Sequence, residues 1–328
     1  MLAVMVTGGL GVIGSWVTRK LVEQGITVVT YSRNLDTSLV RDIIKDVNCV
    51  TGDVLDFPKL ISTIKHNKIE RIIHMAALMM PPMEANPFMT YRFNVDGTMN
   101  ILEAARIMDV RRVVYASSQA VYDMARDEYA HPVCKPMGED YPKAPKTVYG
   151  ATKLFMENMC LSYNRIYGLD FVAVRFGFTY GPGKQARHGA VAINSKMIES
   201  AMLRKSLKIP QGGDQVFDMV YHKDAAHGVV LACFTDNLKH CFFNISSGKG
   251  ETLRHLTEIL NDIFGEALIE IGPGLNPLGN PDANYLVLSI DRAREELGYR
   301  SQYDLNTAVK DYVETLKRLN INPSVIAP

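Results

Sequence analysis

The chain has 328 residues, 47% apolar and 22% charged, the mix of an ordinary globular protein and enough for a large α/β domain plus a smaller appendage. Its 36 basic and 35 acidic side chains nearly cancel, which removes any bulk electrostatic reason to bind nucleic acid or an anionic membrane. Five scattered cysteines (Cys49, Cys134, Cys160, Cys233 and Cys241) form no CxxC pair or Cys/His cluster, so no metal site is expected, and reduced thiols point to a cytoplasmic setting. No stretch approaches the roughly 18–20 apolar residues of a membrane span.

Leu2–Val6 is a short apolar run punctuated by Gly8-Gly9 and reads as the first strand. From Gly11 the period changes: Ile13, Val17 and Leu21 share a helical face, and Gly25 ends that helix. Ile26–Tyr31, Cys49–Thr51, Arg71–His74, Arg112–Ala116 and Phe171–Phe176 read as further strands. Helical patterns fill 57–67 and 86–108. A long helix is predicted from Lys146 to about Arg165, with Phe155, Met159 and Tyr163 stacked at i, i+4 and i+8. Strands alternating with helices imply βαβ crossovers, hence an α/β, Rossmann-like, doubly wound parallel sheet. After Tyr180 comes the turn Gly181-Pro182-Gly183-Lys184, then helices near 190–205, 252–264 and 303–317 with Gly- and Pro-rich links such as Gly272–Pro281. The expected division is a main domain over 1–175 and a smaller substrate-binding portion over 176–328, with segments near 214–233 and 241–245 returning to the main domain.

A strand, then Gly8-x-x-Gly11-x-x-Gly14, then a helix, is a connection that can hold a pyrophosphate. Gly8 permits the tight turn, Gly11 lets the backbone approach the phosphates, and Gly14 lets helix and sheet pack closely. Val12 and Ile13 fall within the same turn. Loops also collect glycine for steric reasons alone, so the βαβ setting carries the inference to a nicotinamide dinucleotide. The second strand ends Val29-Thr30-Tyr31-Ser32-Arg33-Asn34, with no carboxylate to take a ribose 2′-hydroxyl. Ser32 can hydrogen-bond and Arg33 can pair with a phosphate, so NADP is favoured over NAD. The competing reading has Arg33 solvating the loop or stacking on adenine.

Tyr149 and Lys153 lie four apart at the start of a predicted helix and so share a face. A lysine beside a tyrosine favours the phenolate and lowers a pKa that is ordinarily near 10. Such a phenol can give or take the proton of a substrate oxygen while hydride moves. The spacing alone is common on surface helices. Ser118 adds weight, because it follows the strand Arg112–Ala116 at its carboxyl end, where open parallel sheets bind ligands. The bland reading of Ser117 and Ser118 is a cap or ST-turn.

Together these residues resemble the extended short-chain dehydrogenase/reductase family, which includes the NAD-dependent sugar epimerases and dehydratases, and the resemblance runs over almost the whole chain. Asp53, with Val54 beside it, resembles the family's adenine-contacting acid, and His74-Met75-Ala76-Ala77 resembles the cofactor-lining segment after the fourth strand. Asn94 in Asn-Val-Asp-Gly-Thr, Ser117 through Tyr122, Tyr149 through Lys153, and Arg175-Phe176 through Tyr180-Gly-Pro-Gly are similar to later signatures. So are Asp218 through Asp224 and Asn244 through Gly248. The resemblance implies that Tyr149 is the catalytic acid/base, that Lys153 binds the nicotinamide ribose, and that Ser118 holds the reacting oxygen. It implies cofactor contacts from Met75, Ala76, Ala77, Asn94, Ser117 and Phe176. It further implies a homodimer joined through a four-helix bundle of the helices near 90–107 and 147–165.

Three departures narrow the chemistry. Where dehydratases of the family carry an acidic pair, this chain has Gln119 and Ala120, neither of which supplies a proton. Phe178 stands where nucleotide-sugar members usually have asparagine, and Phe217 where they often have a diphosphate-binding arginine. Each lost charge-assisted contact is worth ~1.5–3 kcal/mol. Met79, Met80 and Met83 add adaptable apolar surface, or are simply core. Lys184, Arg187 and His188 could return the missing phosphate charge, or form a solvated basic loop. The expected substrate-contacting set is therefore Met79, Met80, Ser118, Gln119, Phe178, Arg187 and Phe217. The expected function is NAD(P)-dependent hydride transfer at a secondary alcohol or ketone of a sugar-like or other small substrate, as oxidoreductase or epimerase. The alternatives are a UDP-glucose-type 4-epimerase with atypical diphosphate binding, and a catalytically silent NAD(P)-sensing regulator.

Overall fold

Seven short runs rich in valine and isoleucine form one all-parallel sheet in the computed structural model, which describes residues 2–78, 86–265 and 268–324. They are β1 (Ala3–Thr7), β2 (Thr27–Ser32), β3 (Val47–Thr51), β4 (Arg71–His74), β5 (Arg112–Ser118), β6 (Phe171–Phe176) and β10 (Phe242–Ile245). Their order is β10-β6-β5-β4-β1-β2-β3. β1 and β4–β6 are buried on both faces almost throughout, which is why they read as continuous apolar runs. Helices cover both sides. Gly14–Glu23, His222–Phe234 and Asp291–Leu297 pack one face through Trp16, Val17, Val229 and Leu297. Phe57–His66, Gly97–Ile107 and Val148–Tyr167 pack the other through Leu60, Ile101, Met156 and Cys160. The chain reverses its direction of travel across the sheet between β1 and β4, and the carboxyl ends of the strands beside that switch are where such sheets bind ligands.

Several sequence expectations shift. The helix anticipated at 86–108 is three pieces: Pro87–Tyr91, capped by the Asn86 side chain, one π-helical turn at Arg92–Asp96, and Gly97–Ile107. The helix anticipated at 190–205 is Ile193–Met202, preceded by a 3-10 turn at Gly189–Ala192 and a separate short helix at Lys184–His188. Of the stretch near 214–233, the helix His222–Phe234 packs on the main sheet, together with Val220 just before it. The preceding strand β9 (Val216–Tyr221) lies between β7 (Phe178–Tyr180) and β11 (Gly250–Thr252) in a separate three-stranded sheet. Short strands with long-range partners carry little local signal, which is why that sheet was not anticipated. β10 does join the main sheet, beside β6. A third core formed by Met197, Leu256, Leu260, Val309 and Tyr312 supports the smaller portion.

The stacked face of the long helix also differs from a simple core stripe. Thr152, Lys153, Met156 and Cys160 are buried, whereas Phe155, Leu161, Ile166 and Tyr167 are exposed. Among the described residues no helix is long and apolar enough to cross a membrane.

Candidate active site

A cavity of about 680 Å³ opens at the carboxyl ends of the central strands. Its floor is the glycine turn. Gly8 has φ +67°, and a Cβ there would lie 3.0 Å from the Ala76 amide nitrogen. A Cβ on Gly14 would come within 2.1 Å of the Gly8 carbonyl oxygen, so only glycine lets the helix start so close to the strand. Gly11 closes the turn by donating to the Gly8 carbonyl at 2.9 Å. Val12 and Ile13 line the wall beside it, and Met75, Ala76, Ala77, Ser117 and Phe176 line the wall beyond. A backbone cradle with no room for side chains, at a helix N-terminus, fits a pyrophosphate.

The residues anticipated on the adenosine side sit differently. Ser32 ends β2 with a buried hydroxyl that has no protein partner. Arg33 is exposed, with its guanidinium 3.9 Å over the Phe93 ring. The Asp53 carboxylate accepts from the Leu55 amide at 2.9 Å, an Asx turn within its own loop. Val54 is buried, its side chain against Gly97. Asn94 is spent on structure: its amide group accepts from and donates to the Leu78 backbone at 2.8 and 3.2 Å and reaches Thr152 at 3.4 Å. It thereby ties the segment after β4 to the long helix.

Tyr149 and Lys153 leave the first turns of the Val148–Tyr167 helix, whose N-cap Thr147 accepts from the Gly150 amide. Gly150 packs on the Ala120 carbonyl, where a Cβ would come within 2.2 Å, so this helix and the end of β5 are held in contact. That contact brings the Ser118 hydroxyl beside the Tyr149 phenol. Ser118 also accepts from the Ala120 amide at 3.2 Å, so the cap reading and the site reading both hold. Lys153 donates to the Ala116 carbonyl at 2.6 Å, with its ammonium 4.8 Å from the Tyr115 ring centre and 5.4 Å from that of Tyr149.

The expected lowering of the phenol pKa is reversed in the cofactor-free site. Burial pushes Tyr149 up to about 12, with the Ser118 hydroxyl opposing, and burial drives Lys153 down to about 7, with the Glu157 carboxylate opposing. Desolvation outweighs the mutual effect that sequence spacing alone suggested. Below them runs a buried network. Ser117 donates to Glu157 at 2.6 Å, Arg175 pairs with Glu157 at 2.9 and 2.7 Å, and Arg175 reaches the Tyr122 hydroxyl at 3.0 Å. Tyr122 in turn donates to Asn244 at 2.7 Å.

A pH dependence of stability follows. Burial drives Lys184, like Lys153, down to about 7. Between that value and the ordinary lysine range the unfolded chain binds more protons than the fold, so stability rises with pH. The thermal midpoint of the cofactor-free protein is expected to climb between about pH 7 and about pH 8.5, less steeply in Lys184→Met. A midpoint that stays flat or falls over that interval contradicts the two lysine assignments.

The outer wall is only partly what the sequence suggested. Phe178 lines the cavity, but Phe217 is fully buried behind it, with ring centres 5.1 Å apart and Tyr285 on its other side at 5.5 Å. Phe217 therefore supports the wall and is not a direct contact. Gln119 lines the cavity and donates to the Asn284 carbonyl at 3.2 Å, fastening the loop 278–285 over the site. Asn284 also donates to the Asp123 carbonyl at 2.8 Å. Sequence reasoning missed this loop as a wall, because nothing local marks its distant anchor. Arg187 turns away to Asp36 and Ser38, so it is not a substrate contact here, whereas its neighbours Lys184 and His188 line the cavity. Met79, Met80 and Met83 lie outside the described residues.

Residues 4–245 match the profile of the NAD dependent epimerase/dehydratase family. The chain is 30% identical over 318 residues to a Methanocaldococcus jannaschii protein provisionally named as a UDP-glucose 4-epimerase, covering 97% of this chain and 99% of that one. It is similar to the crystal structure of UDP-glucose 4-epimerase from Brucella ovis in complex with NAD, with TM-score 0.79, 27% identity, and 99% and 100% of the two chains covered. It is also similar to L-threonine dehydrogenase from Clostridium difficile, with TM-score 0.84, 25% identity, and 98% and 99% covered. With the glycine cradle and the Ser118, Tyr149 and Lys153 centre facing one cavity, the chain belongs to the NAD-dependent epimerase/dehydratase family of extended short-chain dehydrogenase/reductases and is an enzyme of that family.

Proposed function

We propose that the protein catalyses reversible hydride transfer at a secondary alcohol or ketone of a sugar-like or other small substrate. The observation that carries this reading is that Ser118, Tyr149 and Lys153 line the same cavity whose floor is the glycine cradle. A dinucleotide would lie over Gly8, Gly11 and Gly14, with its nicotinamide ribose toward Lys153. When bound, the nicotinamide supplies the acceptor and donor of hydride. Tyr149 takes the hydroxyl proton as the carbinol is oxidised and returns it on reduction, and Ser118 holds the same oxygen. A charged Lys153 beside Tyr149 favours the phenolate, and this lysine would hold the nicotinamide ribose.

Two forms of this chemistry are supported by different observations. The full-length similarity to UDP-glucose 4-epimerases supports nucleotide-sugar 4-epimerisation. The Phe178 wall and the similarity to L-threonine dehydrogenase support net oxidation of a smaller substrate. Gln119, fastened to Asn284, offers no proton for dehydration. Incubation of the cofactor-loaded protein with UDP-sugars, free sugars, polyols and hydroxy acids separates the forms. Epimerisation gives the 4-epimer by NMR with no net reduced-nicotinamide absorbance, and net oxidation gives one reduced nicotinamide per turnover. Turnover of no secondary alcohol in the panel would count against both.

We further propose a preference for NADP. The end of β2 carries no carboxylate, the Ser32 hydroxyl has no protein partner, and Arg33 can leave Phe93 for a 2′-phosphate. The relative from Brucella ovis holds NAD, so the assignment is specific to this chain. Arg33→Asp is expected to weaken NADP binding about tenfold or more while sparing NAD. Equal loss for both dinucleotides would place Arg33 on adenine instead. The exposed Phe88, Phe155, Ile166 and Tyr167 support a homodimer joined through these helices, and the free cysteines a cytoplasmic setting.

A further inference from the structure

Beside the cavity, the turn after β7 gathers basic groups that the hydride-transfer scheme does not use. Lys184 and His188 line the cavity, and both are largely buried. Lys184 donates to the Thr179 carbonyl and, at 3.0 Å, to its hydroxyl, with the Phe178 ring centre 5.2 Å away. Among the described residues no carboxylate is in salt-bridge range of this ammonium. His222 packs against the same turn: a Cβ on Gly181 would come within 2.3 Å of its Nδ1. It is fully buried, and neither ring nitrogen has a hydrogen-bond partner. The Nδ1 of His188 is likewise unpartnered, as are both amide atoms of the fully buried Asn194, whose neighbour Ser195 donates to the Gly181 carbonyl at 3.5 Å. Buried polar atoms are nearly always paired, so such a group marks a place where something else binds.

The charge balance identifies what is missing. Burial alone drives Lys184 down to about 7. Burial, then repulsion from Lys184 and Arg187, drives His188 down to about 4, and burial, then Lys184, His188 and Arg187, drives His222 well below its usual value. The neighbouring Arg187 is paired with Asp36 from the loop after β2. Lys184 has no acid beside it, and an anion bound there would favour the charged form of this lysine and of the histidines around it.

We propose that Lys184 and His188 at the cavity wall, positioned by His222 behind them, hold a compact oxyanion of the substrate, a carboxylate or a phosphoryl group, so that the substrate is a small hydroxy acid or a phosphorylated polyol. The proposal rests on the hydride-transfer reading and selects its smaller-substrate form. His222 and Asn194 are fully buried behind Lys184 and His188, and Phe178, backed by Phe217, forms the adjoining wall. One anionic group would sit there with the carbinol toward Tyr149.

Isothermal titration of the full-length protein saturated with its dinucleotide tests this, using inorganic phosphate, glycerate and UDP as probes. Saturating the cofactor site keeps phosphate off the glycine cradle. Phosphate or glycerate is expected to bind saturably. Binding should weaken about tenfold or more in both Lys184→Met and His222→Val, each checked for an unchanged far-UV circular dichroism spectrum. Tighter glycerate than phosphate assigns a carboxylate and the reverse a phosphoryl group, and either supports the site. Tyr149→Phe should lose turnover yet keep wild-type anion binding, so failure of the hydride-transfer reading is visible separately. Binding of both anions that is absent, or equal in wild type and both variants, overturns the proposal. So does UDP binding that is tighter than either anion and indifferent to Lys184.

Discussion

Replacing Tyr149 by phenylalanine is expected to lower kcat about 10²–10⁴-fold, the range associated with a positioned general acid or base. The substitution removes one oxygen. That oxygen lies beside the Ser118 hydroxyl, at the wall of the cavity proposed to take the substrate. Cofactor affinity should change little, because the glycine cradle and Lys153 remain. Lys153→Met should divide the other way, weakening dinucleotide binding as well as slowing turnover, since its ammonium is the group set to face the ribose. Rate constants and dissociation constants measured on both variants separate these roles. Unchanged kcat in Tyr149→Phe would remove the phenol from the mechanism.

The second large effect concerns the network under the site. Glu157→Gln is expected to destabilise the fold by roughly 3–5 kcal/mol, as removal of one partner from a buried ion pair does. Glu157 and Arg175 are both almost wholly buried, and Arg175 would keep its charge with the Tyr122 hydroxyl and the Glu139 carbonyl as remaining partners. Ser117 would lose its charged acceptor at the same time. Denaturant unfolding followed by circular dichroism reads the loss. The double variant Glu157→Leu with Arg175→Met should recover much of it, because the cost lies in the orphaned charge more than in the lost attraction. A single variant within about 1 kcal/mol of wild type would show that the pair contributes little.

Those two residues also show what was legible from sequence. β4 at Arg71–His74 and β6 at Phe171–Phe176 coincide with their anticipated ends; both are fully buried, and β6 is a largely apolar run between Asp170 and Gly177. The glycine turn was legible because its spacing is a backbone requirement: a Cβ at Gly14 meets the Gly8 carbonyl whatever the rest of the chain does. Tyr149 and Lys153 were legible as one helical face. Their protonation was not, because burial decides it, and burial depends on Tyr115, on β5 and on the helix as packed.

Residues whose partners are distant in sequence were the least legible. Arg187 looked like a substrate contact until Asp36, 151 positions away, claimed it. Arg33 looked like a free cation until Phe93 lay under it. Phe217 reads as a pocket residue from its motif position, yet Phe178 stands in front of it. The loop 278–285 gave no local sign of the Asn284 to Asp123 anchor. His222, within a motif noted only for its ends, acquired meaning once Gly181 and Lys184 were placed beside it.

Hydride transfer itself is the claim on which the two forms of the function agree. A secondary-alcohol substrate found in the panel, carrying deuterium on its carbinol carbon, tests it directly. After incubation with the cofactor-loaded protein, mass spectrometry should find the deuterium either on the same carbon of the epimer or on the reduced nicotinamide. None should reach the solvent. Deuterium released into water would show that the carbon is deprotonated, and would contradict hydride transfer at the Ser118–Tyr149–Lys153 centre.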